Sequence, residues 1–197
     1  MPKRDPDVTT PGPGDALVLV DVQNDFLPGG RLAVPGGDAV IPVLNRWIAR
    51  FRAKGLPIFA SRDWHPANHC SFVEQGGPWP PHCVMGTPGA EFTRDLDLPP
   101  EVPIISKAMR PEKEAFSDFE DTGFEHKLRE LGVNRVFVGG LATDYCVRAT
   151  VLDALREGFS VLLIEDGVRA VDVNPGDGGR ALEEMRSAGA RPVRNGR

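Results

Sequence analysis

The chain has 197 residues, of which 41% are hydrophobic and 26% charged, a balance typical of one soluble globular domain. Its net charge of −5 argues against nucleic acid as the main partner, because phosphate binding needs a clustered basic surface and the basic residues here are scattered. No stretch approaches the ~18 uninterrupted apolar residues of a membrane span.

Residues 1–14 are rich in proline, glycine and charge, and they lack the apolar core of a signal peptide. The three cysteines are too few for a disulfide framework. We therefore expect a cytoplasmic protein with a flexible lead-in over residues 1–14 and a single domain over residues 15–193. The sequence leaves a homo-oligomer open.

Short β-branched runs alternate with helical patterns along the chain. The runs are apolar on both faces, as parallel strands covered on two sides are, and they predict strands over residues 16–21, 56–61, 102–106, 135–139, 160–165 and 190–193. Asp38 is the expected cap of a helix that ends at Gly55, and further helices are expected near residues 119–131, 144–157 and 179–188. This alternation predicts a three-layer α/β sandwich.

The stretch 63–100 has no clear helix or strand pattern. It holds seven of the 19 prolines, three of the four histidines and two of the three cysteines. Long irregular loops in compact domains are usually functional or disordered, and the tryptophan, histidine and cysteine content favours function. A bound metal ion is the simplest way to organise such a loop.

Two charged residues end predicted strands. Asp21 follows the first strand, where open α/β sheets bind ligands in the crevice beyond the carboxyl ends of the strands. Lys107 follows the third. Each has an ordinary alternative, since Asp is common in turns and a strand-end Lys often enters solvent. Asp25, farther along the first loop, is expected to be structural.

Cys146 lies in the segment Gly-Gly-Leu-Ala-Thr-Asp-Tyr-Cys, which runs from the fourth strand into a helix. Thr143 or Asp144 could cap that helix, so that the free N–H groups of its first turn would stabilise a thiolate and bind an oxyanion. The alternative is a buried cysteine that packs as a small hydrophobe.

Asp63, His65 and His82 offer one oxygen and two nitrogens to a divalent ion, the three-ligand pattern of catalytic rather than structural sites. Cys70 and Cys83 lack the spacing of a Cys₂His₂ site. These ligand types suit zinc, iron and manganese, and zinc is the ion we expect.

These segments together resemble the nicotinamidase family of the isochorismatase-like cysteine hydrolases. The matching pieces are LVLVDVQNDFLPGG, SRDWHPANHCSF, GGPWPPHCVMGTPGAEF, ISKA and GLATDYCVRATVLDA, in the family's order and spacing over nearly all of residues 15–190. The resemblance implies a Rossmann-like, six-stranded parallel sheet of order 3-2-1-4-5-6, which makes the first and fourth strands neighbours at the switch point.

The resemblance also implies a role for each matching residue. Asp21 would be the general base, Lys107 its lysine partner and Cys146 the nucleophile. The metal ligands would be Asp63, His65 and His82, and His69 lies where some members place an additional ligand. The oxyanion would be bound by the N–H groups of Ala142 and Cys146, after a cis peptide at Leu141–Ala142. The aromatic residues lining the pocket would be Phe26, Trp79, Tyr145 and Phe116.

The implied reaction is hydrolysis of nicotinamide to nicotinate and ammonia through a cysteine thioester, a step of NAD salvage, with the metal ion orienting the pyridine ring. Two other interpretations remain open. One is a different amide or ureido hydrolase of the superfamily, since the metal set argues against an isochorismatase. The other is a zinc-stabilised binding module without turnover, in which Cys146 only packs.

Overall fold

The computed structural model describes residues 9–194. Six strands form one sheet, in which every pairing is parallel and the order is β3-β2-β1-β4-β5-β6. The strands are β1 (Asp15–Val20), β2 (Ile58–Asp63), β3 (Ile104–Lys107), β4 (Arg135–Leu141), β5 (Ser160–Arg169) and β6 (Arg191–Val193). The expected strand order is confirmed.

Helices cover both faces of the sheet. They are α1 (Ile41–Ala53), α2 (Phe124–Glu130), α3 (Arg148–Arg156) and α4 (Asp177–Ser187). Alternate side chains of β1 point to opposite faces, so Leu17 and Leu19 pack with α1 while Val18 and Val20 pack with the other three helices. The result is the predicted three-layer sandwich. Within residues 9–194, no helix combines the length and apolar character needed to cross a membrane.

Some helix boundaries differ from the sequence prediction. Asp38 caps nothing with its side chain, because it lies in a 3₁₀ turn (Gly37–Val40) that continues directly into α1. The helix expected from residue 119 begins only at Phe124, because turns occupy residues 118–122 and Gly123 adopts a left-handed conformation before it. The fourth helix begins at Asp177, after Gly176 in the same conformation.

The long segment between β2 and β3 is irregular, as expected, with only two 3₁₀ turns (Val73–Gln75 and Pro88–Ala90). It is nevertheless packed. Its buried residues Cys83, Ala90 and Leu96 join the same hydrophobic cluster as α1, so the loop completes the cover of that face.

The lead-in expected to be flexible lies partly outside the described residues. Within the described part, contacts with the domain begin before β1: the Pro11 carbonyl accepts a hydrogen bond from Lys54, and the Gly14 carbonyl accepts one from the backbone of Asn134.

Candidate active site

Asp21, Lys107 and Cys146 meet at the carboxyl edge of the sheet. Asp21 directly follows β1, Lys107 ends β3, and Cys146 lies in the turn after β4. The Lys107 Nζ is 2.6 Å from Asp21 Oδ2 and 3.5 Å from Cys146 Sγ. All three side chains are buried. The long lysine side chain crosses β2 to reach Asp21, because β2 separates β3 from β1.

The backbone and a neighbouring serine fix the Asp21 carboxylate. Asp21 has a φ of 48°, an unusual conformation for a residue other than glycine, and its N–H donates to the Ser61 carbonyl. The Ser61 hydroxyl donates to Asp21 Oδ1 at 2.8 Å, while Lys107 donates to Oδ2. Ser61 was not identified from the sequence, since nothing in a strand serine indicates which side chain it will meet.

Lys107 also forms an ion pair with Asp63, so one ammonium group serves two carboxylates. Burial alone would lower the pKa of Lys107, but the charges of Asp21 and Asp63 raise it well above its ordinary value. The two carboxylates differ: burial raises the pKa of Asp21, whereas Lys107 and His65 outweigh burial and lower the pKa of Asp63. Asp21 is therefore the more basic of the pair, which suits a proton acceptor.

Cys146 lies in a π-helical turn (Thr143–Val147) that continues into α3, and the Leu141–Ala142 peptide before it is cis, as the resemblance implied. The expected low-pKa thiolate is not what the structure shows. Burial, with the charges of Asp63 and Asp21, raises the pKa of the Cys146 thiol against the effect of Lys107. The resting site thus favours a thiol beside its base.

Neither expected capping residue caps the helix of Cys146. The carboxylate of Asp144 instead accepts hydrogen bonds from the backbone N–H groups of Val171 and Asp172, at 3.0 and 2.8 Å. Asp144 therefore fixes the segment after β5 against the turn that carries Cys146.

Asp63, His65 and His82 can present one ligand atom each within a mutual distance of 4.8 Å. Asp63 Oδ2 lies 3.7 Å from His65 Nε2, while its other oxygen faces Lys107. The Nδ1 atoms of His65 and His82 face the carbonyls of Ala108 and Pro80, at 3.3 and 2.8 Å. A carbonyl only accepts hydrogen bonds, so each Nδ1 carries the proton and each Nε2 keeps a lone pair for a metal ion. These residues fit a divalent ion.

His69 lies against His65, with ring centroids 4.3 Å apart. Its Nδ1 faces the Ser71 hydroxyl and its Nε2 faces the Lys113 carbonyl, at 2.8 and 3.1 Å, so both ring nitrogens are engaged in hydrogen bonds. His69 can also be grouped with His65 and Glu114, but not with His82, as a set of potential ligands. The structure therefore places it beside the three-residue group rather than within it.

Two residues of the first loop hold the metal-binding group in place. Gln23, to which no role was assigned from the sequence, bonds the backbone N–H and carbonyl of Asp63 with its side-chain amide, each at 2.8 Å. Asp25 accepts a hydrogen bond from the backbone N–H of Cys83, next to His82. Asp25 is thus structural, as expected.

A narrow cavity opens above Cys146. It is bounded by the metal-binding group, by Ala142 and by every aromatic residue expected there, namely Phe26, Trp79, Phe116 and Tyr145. The Tyr145 ring contacts those of Trp79 and Phe116, with centroids 5.3 and 5.7 Å apart. Three lining residues were not anticipated: Leu32, Glu114 and Val171. Glu114 carried no signal, because it lies in a charged stretch that resembles an exposed surface segment.

Comparison with known proteins matches residues 15–195 to the isochorismatase domain family. The nicotinamidase of Escherichia coli is 42% identical over 90% of this chain and 93% of its own length. The zinc complex of the Pyrococcus horikoshii pyrazinamidase is 55% identical, with a TM-score of 0.88 over 92% of this chain and 99% of that one. PnC1 from L. infantum, in complex with nicotinate, is 40% identical, with a TM-score of 0.87 over 95% of this chain and 96% of that one.

Proposed function

The chain belongs to the isochorismatase family, and on that basis we propose that it hydrolyses nicotinamide to nicotinate and ammonia, the usual step of NAD salvage for its relatives. The observation that carries the proposal is the position of Cys146, which lies at the floor of an aromatic cavity with Asp21 and Lys107 below it and a metal-binding group beside it. A flat heteroaromatic amide has the shape and chemistry for that space.

In this mechanism Asp21 accepts the thiol proton as Cys146 attacks the carboxamide carbon. A carboxylate oxygen of Asp21 lies within 4.8 Å of the Cys146 sulfur, so the proton acceptor is close to the thiol. Lys107, 3.5 Å from the sulfur, stabilises the thiolate as it forms. The raised pKa of the buried thiol makes this assistance necessary, since little free thiolate would exist without it.

The oxyanion of the tetrahedral intermediate is held by the backbone N–H groups of Ala142 and Cys146, on the turn that follows the cis peptide. Asp21 then returns its proton to the departing ammonia. The same carboxylate assists the water that hydrolyses the thioester, which restores the thiol and releases the acid.

Asp63, His65 and His82 would hold one divalent ion, which we propose to be zinc, with iron and manganese as alternatives that the same ligand types accept. The ion would supply a binding point for the ring nitrogen and orient the carboxamide over Cys146. All three cysteines are free thiols, which is typical of a reducing compartment, so the cytoplasm is the location we propose.

Ammonia release from nicotinamide tests the function. Cys146→Ala should lose essentially all turnover, whereas Cys70→Ala, which removes a half-buried thiol outside the cavity, should keep it. Removing the metal by chelation should lower turnover, and zinc should restore it. Undiminished turnover by Cys146→Ala would contradict the mechanism. Faster hydrolysis of a ureido substrate than of nicotinamide would move the protein to another branch of the superfamily.

A further inference from the structure

Asp118 is a buried carboxyl group for which the proposed mechanism has no use. Its side chain is fully buried, and within residues 9–194 neither carboxyl oxygen has a hydrogen-bond partner. The backbone around it is fixed: its N–H donates to the Thr150 hydroxyl at 3.0 Å, and its carbonyl accepts from the Thr122 hydroxyl. Since an unpartnered buried carboxylate is costly, its presence at this fixed position requires an explanation.

The groups that face Asp118 come from the three strands of the active site. The charged ones are Asp21 on the β1 end, Asp63 on β2 and Lys107 on β3. The Ser61 hydroxyl is a polar neighbour of the carboxyl but gives it no hydrogen bond. Ser61 donates its single proton to Asp21 Oδ1 at 2.8 Å, which leaves only oxygen lone pairs to face Asp118.

The two protonation states of Asp118 therefore fit this position very differently. An ionised carboxylate would receive no hydrogen bond and would lie near two other carboxylates, and burial together with the Asp21 charge outweighs the favourable charge of Lys107. A protonated carboxyl could donate its own O–H to the Ser61 oxygen. Burial, reinforced by the charge of Asp21, accordingly raises the pKa of Asp118 to about 8.

We propose that Asp118 is a positioning residue of the active site: its protonated carboxyl donates a hydrogen bond to the Ser61 hydroxyl, which in turn donates to Asp21. The chain Asp118–Ser61–Asp21 fixes one oxygen of the proposed base, so that the other remains directed toward Lys107 and the Cys146 thiol. The catalytic consequence rests on the proposed function, whereas the hydrogen-bond chain itself belongs to the protein without substrate.

Three variants test the proposal. Asp118→Asn has nearly the same shape, is neutral at every pH and can still donate to Ser61, while Asp118→Ala cannot donate. Asp121→Asn is the matched control, since Asp121 lies in the same segment but is exposed and paired with Arg110 and Lys113.

The first measurement is the melting temperature as a function of pH, without substrate. Between the ordinary aspartate pKa of 3.8 and about 8, the folded protein binds a proton at Asp118 that the unfolded chain has lost, so wild-type stability falls as the pH rises. Asp118→Asn lacks this loss. Its melting temperature should therefore rise relative to wild type from about pH 5 to about pH 8, and Asp121→Asn should not show that rise.

The second measurement is nicotinamide turnover. Asp118→Ala should lower kcat about ten-fold with little change in KM, as expected for losing a partner that orients an active-site group. Asp118→Asn should keep most of the wild-type kcat at neutral pH. If Asp118→Ala does not fold, Ser61→Ala interrupts the same chain and should show the same loss.

A pH-independent melting difference between Asp118→Asn and wild type would overturn the proposal, as would an Asp118→Asn enzyme as slow as Asp118→Ala. If wild-type protein releases no ammonia from nicotinamide, the proposed function fails, but the melting measurement still decides whether Asp118 is protonated in the fold.

Discussion

Lys107 is the residue on which the charge balance of the site depends. Its side chain is fully buried, as is that of Asp21, and Asp63 is nearly so. Removing one partner from a buried ion cluster leaves an uncompensated charge, which is usually more damaging than never having had the cluster.

We expect Lys107→Met to lower the free energy of unfolding of the metal-free protein by about 3–5 kcal/mol and to abolish turnover. Urea denaturation measures the first effect. Adding Asp21→Asn to Lys107→Met should recover part of the lost stability but none of the activity, because it removes one of the two unpaired charges. Lys113→Met, which removes an exposed lysine, is the control and should change stability little. If the two substitutions instead lower the free energy of unfolding additively, Lys107 does not compensate the charge of Asp21.

The residues predicted from the sequence and those missed differ in a physical respect. Asp21, Lys107 and Cys146 each end a strand or open a helix, and the carboxyl ends of parallel strands meet at one edge, so their positions along the chain indicate a shared location. Ser61 and Asp118 act only through neighbours on other segments. Without the fold, Asp118 has the same local signature as any aspartate of a turn.

At the level of elements, β4 is fitted closely against β1. Gly140 has a φ of 133°, and a Cβ built there would lie 2.0 Å from the Val20 carbonyl oxygen. On β1 this close approach comes directly before Asp21, and on β4 it comes shortly before the turn that carries Cys146. Glycine is required here because any side chain would push the two strands apart.

Gly140→Ala should therefore reduce the free energy of unfolding by about 3 kcal/mol or more and lower turnover by moving Asp21 away from Cys146. Gly179→Ala is the matched substitution: Gly179 lies within α4 with open space where a Cβ would be added, so this variant should gain about 0.5–1 kcal/mol. Urea titrations of both variants give the comparison. Effects opposite in sign to these expectations would refute the account of β4.

Five of the strands were predictable because their runs have a clear apolar pattern, and the sixth, short and mostly exposed, had only a weak one. The starts of the helices were less predictable than the strands. The start of α2 depends on Gly123, whose left-handed conformation follows from the turns before it. The sequence predicted that the segment after β2 would be irregular, but not that it would cover the face shared with α1. That packing depends on contacts between residues far apart in the chain.

At the scale of the whole molecule, the cavity forms where several separate parts of the chain meet. The sheet edge supplies Cys146, the long loop supplies Trp79, and the segment after β3 supplies Phe116. The strand order that joins these parts was inferred from the resemblance, since the residues alone predicted only the three-layer class.

Aromatic walls on a narrow cavity should select flat rings. We expect nicotinamide to exceed its saturated counterpart, piperidine-3-carboxamide, by at least about ten-fold in kcat/KM, because each aromatic contact contributes roughly 0.5–1.5 kcal/mol. Benzamide is flat but has no ring nitrogen. Its kcat/KM should fall between those of the other two amides if a metal ion binds the ring nitrogen of nicotinamide. Equal rates for the flat and saturated rings would show that the walls do not select shape.

The wide separation of the catalytic groups along the chain also affects how the protein acquires activity. Lys107 contacts Asp21, Asp63 and Cys146 across 86, 44 and 39 positions, so each contact closes a long loop. Helices form from local contacts, but parallel pairing of distant strands is slow. On dilution from denaturant, helical signal should return before turnover, since a complete site needs the whole stretch from Asp21 after β1 to Cys146 after β4. Recovery of activity would thus report the completion of the sheet.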